Sequence, residues 1–140
     1  MMGEMVVDGR NHDPLRLRDL LSRAETLASQ NALSSVVVGL AGPEGDLIFP
    51  EIVDYVESAL RVDDAIFRMT RERAVLVLAD VDRRRAEEIV GRLLSGFCER
   101  YAQSAEPEIH LGYFEVTPQH KHLTVKEVLP TVFAAAPIAN

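Results

Sequence analysis

The stretch AIFRMTRERAVLVLA, residues 65–79, decides the fold of this 140-residue chain. Ala65–Met69 and Ala74–Ala79 are two short apolar runs, and runs of this kind are typical of buried strands. Only four residues separate them, which is a length typical of the turn in a β-hairpin. The sequence therefore predicts an antiparallel hairpin near the centre of the chain, with charged residues at its tip.

The segments on either side of the hairpin predict four helices and two further strands. Ser35–Ala41 (SVVVGLA) is a β-branched run typical of a buried strand, and residues 108–116 (EIHLGYFEV) alternate as a half-buried strand does. Four other segments carry apolar residues at three- and four-residue spacing, as amphipathic helices do. The residues at which these helices are expected to begin or be capped are Asp13, Asp46, Asp82 and Thr124.

This order of elements predicts an α+β fold in which helices flank a mixed central sheet. The hairpin makes one pairing antiparallel, and the helical connections predict that other neighbouring strands are parallel. We expect one domain over residues 13–136, a flexible leader over residues 1–12, and a tail or linker over residues 137–140.

The composition of the chain excludes several classes of protein. The formal net charge is −7, and no apolar run approaches the ~20 residues of a membrane helix. Net negative charge argues against non-specific nucleic-acid binding, because the phosphate backbone repels it. The single cysteine, Cys98, excludes an internal disulfide and a thiolate zinc cluster. We expect a cytoplasmic protein with no nucleic-acid partner and no membrane insertion.

A series of motifs runs through the central part of the chain. Gly45-Asp46 precedes an amphipathic helix, Arg61-Val62-Asp63-Asp64 supplies an Arg-x-x-Asp, and Arg68 follows it at the start of the hairpin. In this spacing the chain resembles a GGDEF domain, the family of the diguanylate cyclases, from Gly45 to about Leu94. The resemblance implies the palm-like fold of nucleotide cyclases and a role in bacterial signalling.

The chain departs from this family at the positions that the resemblance assigns to catalysis. Active members hold magnesium through acidic side chains of the first strand and the hairpin motif, and the ions bridge the triphosphate. Here a glycine occupies the first-strand metal position, and the motif keeps one carboxylate between two arginines. The degenerate positions are Gly39, Thr70, Arg71, Glu72, Arg73 and Ala74. The segment that reads guanine in the family is also missing. These departures from the family pattern therefore imply that the chain has no cyclase activity and binds no metal and no cofactor.

Arg61 and Asp64 keep the spacing of a regulatory motif. In the family, an Arg-x-x-Asp five residues before the hairpin motif forms the inhibitory site for cyclic di-GMP, and five residues intervene here as well. A guanidinium offers forked donors to guanine or phosphate, and a carboxylate can accept from guanine. The alternative interpretation is that Arg61 caps the preceding helix and that Asp64 is an ordinary turn residue.

Three functions follow as hypotheses. The first is a catalytically inactive regulatory module that acts through a protein partner or self-association. The second is a cyclic di-GMP receptor that binds through Arg61 and Asp64. The third, ranked lowest, is a residual nucleotide enzyme that uses Glu72.

Overall fold

The structure, a computed structural model, describes residues 14–101 and 108–134. The expected leader 1–12 and tail 137–140 therefore lie outside the described residues. The described elements, in chain order, are α1 (Pro14–Asn31), β1 (Ser35–Ala41), α2 (Phe49–Ser58), β2 (Ala65–Arg68), β3 (Arg73–Ala79), α3 (Arg83–Arg100), β4 (His110–Val116) and α4 (Val125–Val132). The predicted α+β class and the predicted hairpin are confirmed.

The described strands form one open sheet in the order β2-β3-β1-β4, and each neighbouring pair is antiparallel. The prediction of parallel neighbours is therefore wrong. The helical connections do join parallel strands, but β3 lies between β1 and β2, and β1 lies between β3 and β4. Each crossover skips one position in the sheet, and this is the split βαβ arrangement.

Helices cover both faces of the sheet and form two apolar cores. α2 and α3 pack on one face, where Val36, Val38 and Leu40 point, and α1 and α4 pack on the other face, with Val37 and Ala41. Every residue of β1 is buried, because this strand lies inside the sheet and both of its faces are covered.

Of the four expected helix starts, Asp13 lies outside the described residues, and Asp82 and Thr124 each precede a helix as predicted. Asp82 accepts a hydrogen bond from the backbone N–H of Arg85, and Thr124 accepts one from Glu127. Helix α2 is different, because its N-cap is Ile48, which provides no side-chain cap. The Asp46 carboxylate instead accepts from the backbone of Ile48 within the preceding turn. Among the described helices, none is long and apolar enough to cross a membrane.

Candidate functional site

The Arg-x-x-Asp motif lies in the turn between α2 and β2, beside the end of β3. The Asp64 side chain is only 3% exposed. Its Oδ2 accepts from Arg61 Nε (2.7 Å) and the Arg61 backbone N–H (3.3 Å). Its Oδ1 accepts from Arg61 Nη2 (2.8 Å) and the backbone N–H of Ala79 (3.0 Å). The structure thus brings the two predicted site residues together as a bidentate pair.

Arg61 also fastens this pair to the sheet. Its Nη2 donates to the carbonyl oxygen of Ala79 at 2.6 Å, so Arg61 and Asp64 together bond both backbone groups of the last residue of β3. The hydrogen bond to Asp64 raises the pKa of the Arg61 guanidinium above its ordinary value and reinforces its positive charge. The Arg61 side chain hydrogen-bonds Asp64 and the end of β3, and the backbone N–H of Asp64 donates to the carbonyl oxygen of Arg61 in the turn after α2.

A pocket of about 370 Å³ opens beside this pair, between the end of α2 and one face of α3. Arg61, Arg85 and Arg92 line it together with Tyr55 and several aliphatic side chains, and the Arg61 side chain remains 52% exposed. Arg85 pairs with Glu88 at 3.1 Å, whereas Arg92 forms no ion pair within the described part of the chain. Three guanidinium groups around one pocket favour a phosphate-bearing ligand.

Sequence reasoning missed Arg85 and Arg92 as site residues. Arg85 belongs to the run Arg83-Arg84-Arg85, which Glu87 and Glu88 follow closely, a pattern typical of a solvated helix face, and Arg92 belongs to no motif. A usable signal is present in the spacing, because Arg85, Ile89 and Arg92 follow an i, i+4, i+7 pattern and so share one face of α3. Helix packing then directs that face towards Arg61.

The positions that the resemblance assigns to the catalytic motif lie at the opposite end of the hairpin, at its tip. The backbone N–H groups of Met69 and Thr70 donate to the carbonyl oxygen of Arg73 and close the turn. Gly42 donates its N–H to the carbonyl oxygen of Glu72 (2.8 Å), so the hairpin tip lies directly beside the end of β1. The Glu72 carboxylate hydrogen-bonds no other described residue.

Gly39 lies inside the sheet, paired with Val75 on one side and Gly112 on the other. A Cβ built on Gly39 would lie 2.6 Å from the carbonyl oxygen of Val132, and one on Gly112 would also meet this carbonyl group. The C-terminal turn of α4 therefore rests directly on the two glycines, and a side chain at position 39 has no room.

The other motif positions carry ordinary packing and turn contacts. Ala74 is buried, and the Arg73 guanidinium lies 4.9 Å from the centre of the Phe133 ring, within the range of a cation–π contact. Thr70 and Arg71 line a second pocket of about 430 Å³ with Phe49, Val53 and Arg68 among its other walls. Across the described ranges, no three His, Cys, Asp or Glu side chains form a group that can hold a metal ion.

Comparison with known proteins shows likeness in structure and not in sequence. No family model and no curated protein matches the chain. The FimX GGDEF domain of Pseudomonas aeruginosa superposes with a TM-score of 0.68 at 12% identity, over 89% of this chain and 90% of that one. PelD of Pseudomonas aeruginosa PAO1, in complex with cyclic di-GMP, superposes with a TM-score of 0.62 at 18% identity over 84% of this chain.

The third structure is the diguanylate cyclase SiaD from Pseudomonas aeruginosa in complex with its activator SiaC. It gives a TM-score of 0.65 at 20% identity over 89% of this chain. The match covers 42% of the PelD chain and 55% of the SiaD chain, so these proteins extend well beyond the matched part. Taken with the sheet order and the hairpin, the superpositions show that this chain has the fold of a GGDEF domain.

Proposed function

We propose that this chain is a regulatory module that binds cyclic di-GMP in the pocket beside Arg61 and that it does not synthesise this nucleotide. The observation that carries the proposal is the convergence of Arg61, Arg85 and Arg92 on one pocket. Cyclic di-GMP carries two phosphodiester charges, and charge-assisted bonds from arginine to phosphate are among the strongest available to a protein. The pocket is also within the size range of small-molecule sites.

Two of the structural neighbours support this choice of ligand. PelD was solved with cyclic di-GMP bound, and so was the GGDEF domain of DgcB from Caulobacter crescentus. At 18% and 12% identity these likenesses concern the fold, so the ligand assignment here depends on the arginines of this chain.

The proposed loss of cyclase activity is argued from the residues at the hairpin tip and in the neighbouring strand β1. Phosphoryl transfer in this family needs acidic side chains that hold magnesium on the triphosphate. Position 39 lies beneath the carbonyl group of Val132 and cannot present a carboxylate without moving α4. Glu72 is then the single acidic residue left in the motif, and its charge is flanked by Arg71 and Arg73.

Isothermal titration calorimetry with cyclic di-GMP tests the binding proposal. We expect saturable binding to the wild-type protein and about a tenfold weaker affinity for Arg92→Gln, since one charge-assisted contact is removed. Arg100→Gln is the matched control: Arg100 is also exposed on α3, does not line the pocket, and forms no ion pair with another described residue. No heat at high micromolar ligand would contradict the proposal.

Incubation with GTP and magnesium tests the second half of the proposal. We expect no cyclic di-GMP by chromatography, also with manganese in place of magnesium. Any product that depends on Glu72, and disappears in Glu72→Gln, would show that the motif is still catalytic.

Regulation through a protein partner is the second candidate. The second pocket, at the hairpin tip, has an apolar wall that includes Phe49 and Val53. Arg71 also lines this pocket and forms no ion pair with another described residue. Leu47, two residues before α2, is 73% exposed. Light scattering detects self-association, and Leu47→Lys with Arg71→Glu is expected to abolish a complex that uses this surface. A complex that survives both substitutions would place the partner elsewhere.

A further inference from the structure

We infer that the second pocket, at the hairpin tip, binds a short segment of another protein that carries an aliphatic or aromatic side chain next to an acidic one. The inference rests on the second candidate function, regulation through a protein partner, and names the chemistry of that partner. Its basis is an apolar floor under a rim whose free groups are hydrogen-bond donors. The pocket shares no described lining residue with the pocket beside Arg61.

The floor of the second pocket is rigid because its side chains belong to the core. Phe49 and Val53 of α2 and Ala74 of β3 are each no more than 2% exposed. The backbone of Gly42 lies against the Phe49 ring, since a Cβ built on this glycine would lie 2.8 Å from a ring carbon. Side chains held in this way keep their positions without a ligand, so the cavity of about 430 Å³ is pre-formed for an apolar side chain of the partner.

The rim of the pocket offers donors and one positive charge. The Arg71 side chain is exposed and forms no ion pair with another described residue. The Thr70 hydroxyl oxygen accepts from the backbone N–H of Glu72 at 3.2 Å, so the hydroxyl O–H is left to donate to a ligand. A guanidinium beside a hydroxyl matches a carboxylate, which accepts through both of its oxygens. The rim therefore favours an acidic group beside the side chain that enters the pocket.

The charge around Arg68 limits how much negative charge the pocket accepts. Arg68 is 21% exposed, and its Nη2 pairs with Asp54 at 2.8 Å and with Glu57 at 2.7 Å. These carboxylates compensate the charge of Arg68 and repel a further anion. The pocket beside Arg61 differs, because three guanidinium groups line it. One uncompensated guanidinium at the second pocket suits the single charge of a carboxylate better than the several charges of a nucleoside triphosphate.

Leu47 offers apolar surface beyond the pocket. It lies two residues before Phe49, a wall of the pocket, and its side chain is 73% exposed. Because it is so close in sequence to that wall, a segment seated in the pocket can cover it and remove apolar surface from water. An apolar centre with a charged rim is the arrangement found in protein–protein interfaces.

Selection of short random peptides on the immobilised wild-type protein tests the partner chemistry. A protein with Leu47→Lys and Arg71→Glu removes the peptides that bind elsewhere. We expect the retained peptides to share an aliphatic or aromatic residue next to Asp or Glu, since these two groups would meet the floor and the rim. Failure to retain any peptide on the wild-type protein over the double variant would overturn the inference, and so would retained peptides that lack the acidic residue.

Fluorescence anisotropy with one retained peptide, labelled with fluorescein, measures the contribution of Arg71. We expect Arg71→Gln to bind about tenfold more weakly, because one charge-assisted contact is lost, and Arg100→Gln to bind as the wild type does. Both arginines are exposed, so neither substitution is expected to disturb the fold. Equal affinity of Arg71→Gln and wild type would contradict the inference. Displacement of the peptide by GTP would assign the pocket to a nucleotide and would also overturn it.

Two further results separate this inference from the other proposals. Binding of the peptide without binding of cyclic di-GMP would contradict the proposed receptor function and leave this inference standing. Binding of cyclic di-GMP with no peptide retained would do the reverse. Self-association in light scattering that is lost with Leu47→Lys and Arg71→Glu would assign the pocket to a second copy of this chain, and the inference of a separate partner would be wrong.

Discussion

The two ends of the β2–β3 hairpin lie roughly 20 Å apart along the strands and differ in how their polar groups are bonded. At the Ala79 end, the buried Asp64 accepts four hydrogen bonds and holds Arg61 at the rim of a pocket. At the tip, the Glu72 carboxylate bonds no other described residue and the Arg71 guanidinium forms no ion pair with one. Both ends match motif positions of one family, yet only one of them is built as a bonded network.

This difference shows what a surviving motif does and does not prove. Arg61 and Asp64 bond both backbone groups of Ala79, so the fold has its own use for them whether or not a ligand binds. The argument for a ligand therefore comes from Arg85 and Arg92, which form no comparable bonds to the sheet. At the tip, the Glu72 carboxylate forms no comparable hydrogen bond within the described part of the chain.

The largest effect is expected from restoring an acidic residue to β1. Gly39→Asp would place a Cβ 2.6 Å from the carbonyl oxygen of Val132 and a carboxylate in an apolar interior. We expect a loss of about 4 kcal/mol or more in the free energy of unfolding. Chemical denaturation measures it, and Gly91→Ala on α3, where a Cβ meets nothing within 4 Å, is the control and should stabilise slightly. A folded Gly39→Asp protein that binds magnesium would contradict this account of the tip.

The next largest effect on stability is expected at Asp64, and the same substitution at Glu72 is its comparison. Asp64→Ala leaves the backbone N–H of Ala79 and the Arg61 guanidinium without their acceptor, and we expect it to cost about 3 kcal/mol of stability. Glu72→Ala removes no hydrogen bond to a described residue and should change stability by less than about 0.5 kcal/mol. Urea titration of both variants checks the contrast. Equal losses would show that the two ends are bonded alike.

A smaller effect is expected at Glu25, another carboxylate that accepts hydrogen bonds from backbone N–H groups. It accepts from the N–H of Leu123 at 2.7 Å and of His122 at 2.9 Å, and these bonds lower its pKa from the ordinary 4.5. A lowered pKa stabilises the folded protein above pH 4.5, and that contribution is lost as the pH falls through the folded value.

Glu25→Gln tests this contribution. We expect it to cost about 1 kcal/mol near neutral pH, after allowance for solvent around a partly exposed group, and nothing once the wild-type carboxyl is protonated. Thermal unfolding at several pH values measures the difference between the two proteins. A pH-independent difference would mean that the charge of Glu25 is not involved.

The smallest effect is expected from Arg71→Gln at the tip. This arginine lies at the opposite end of the hairpin from the Arg61 pocket and forms no ion pair with another described residue, so we expect cyclic di-GMP affinity to stay within about twofold of wild type. Calorimetry with cyclic di-GMP on the Arg71→Gln and Arg92→Gln proteins compares the two affinities. A comparable loss in both variants would move the ligand site or extend it to the tip.

The strands and helices were largely predictable because their signals are local. The hairpin follows from two apolar runs and a four-residue turn, and β1 from a β-branched segment that the structure buries completely. Strand neighbours were not predictable in the same way. A crossover helix shows that two strands run in the same direction, but whether a third strand lies between them depends on contacts distant in sequence.

The candidate site likewise combines residues from a local sequence motif with residues that come together only through long-range contacts. Arg61 and Asp64 are a local motif, and their pairing follows from their spacing. Their third partner, Ala79, is 15 residues from Asp64, and the hydrogen bond between them could not be read from either segment alone. Arg85 and Arg92 likewise become site residues only where α3 packs against α2.

The sequence by itself determined the α+β class, the hairpin, and the absence of an acidic side chain at Gly39, since these depend on residue type and short-range periodicity. Tertiary structure decided that the sheet is antiparallel, that α4 fills the space above Gly39, and that three arginines from two segments surround one pocket. The physical reason is that residue type specifies which groups are present. Only packing specifies which of them are already bonded and which remain available to a ligand.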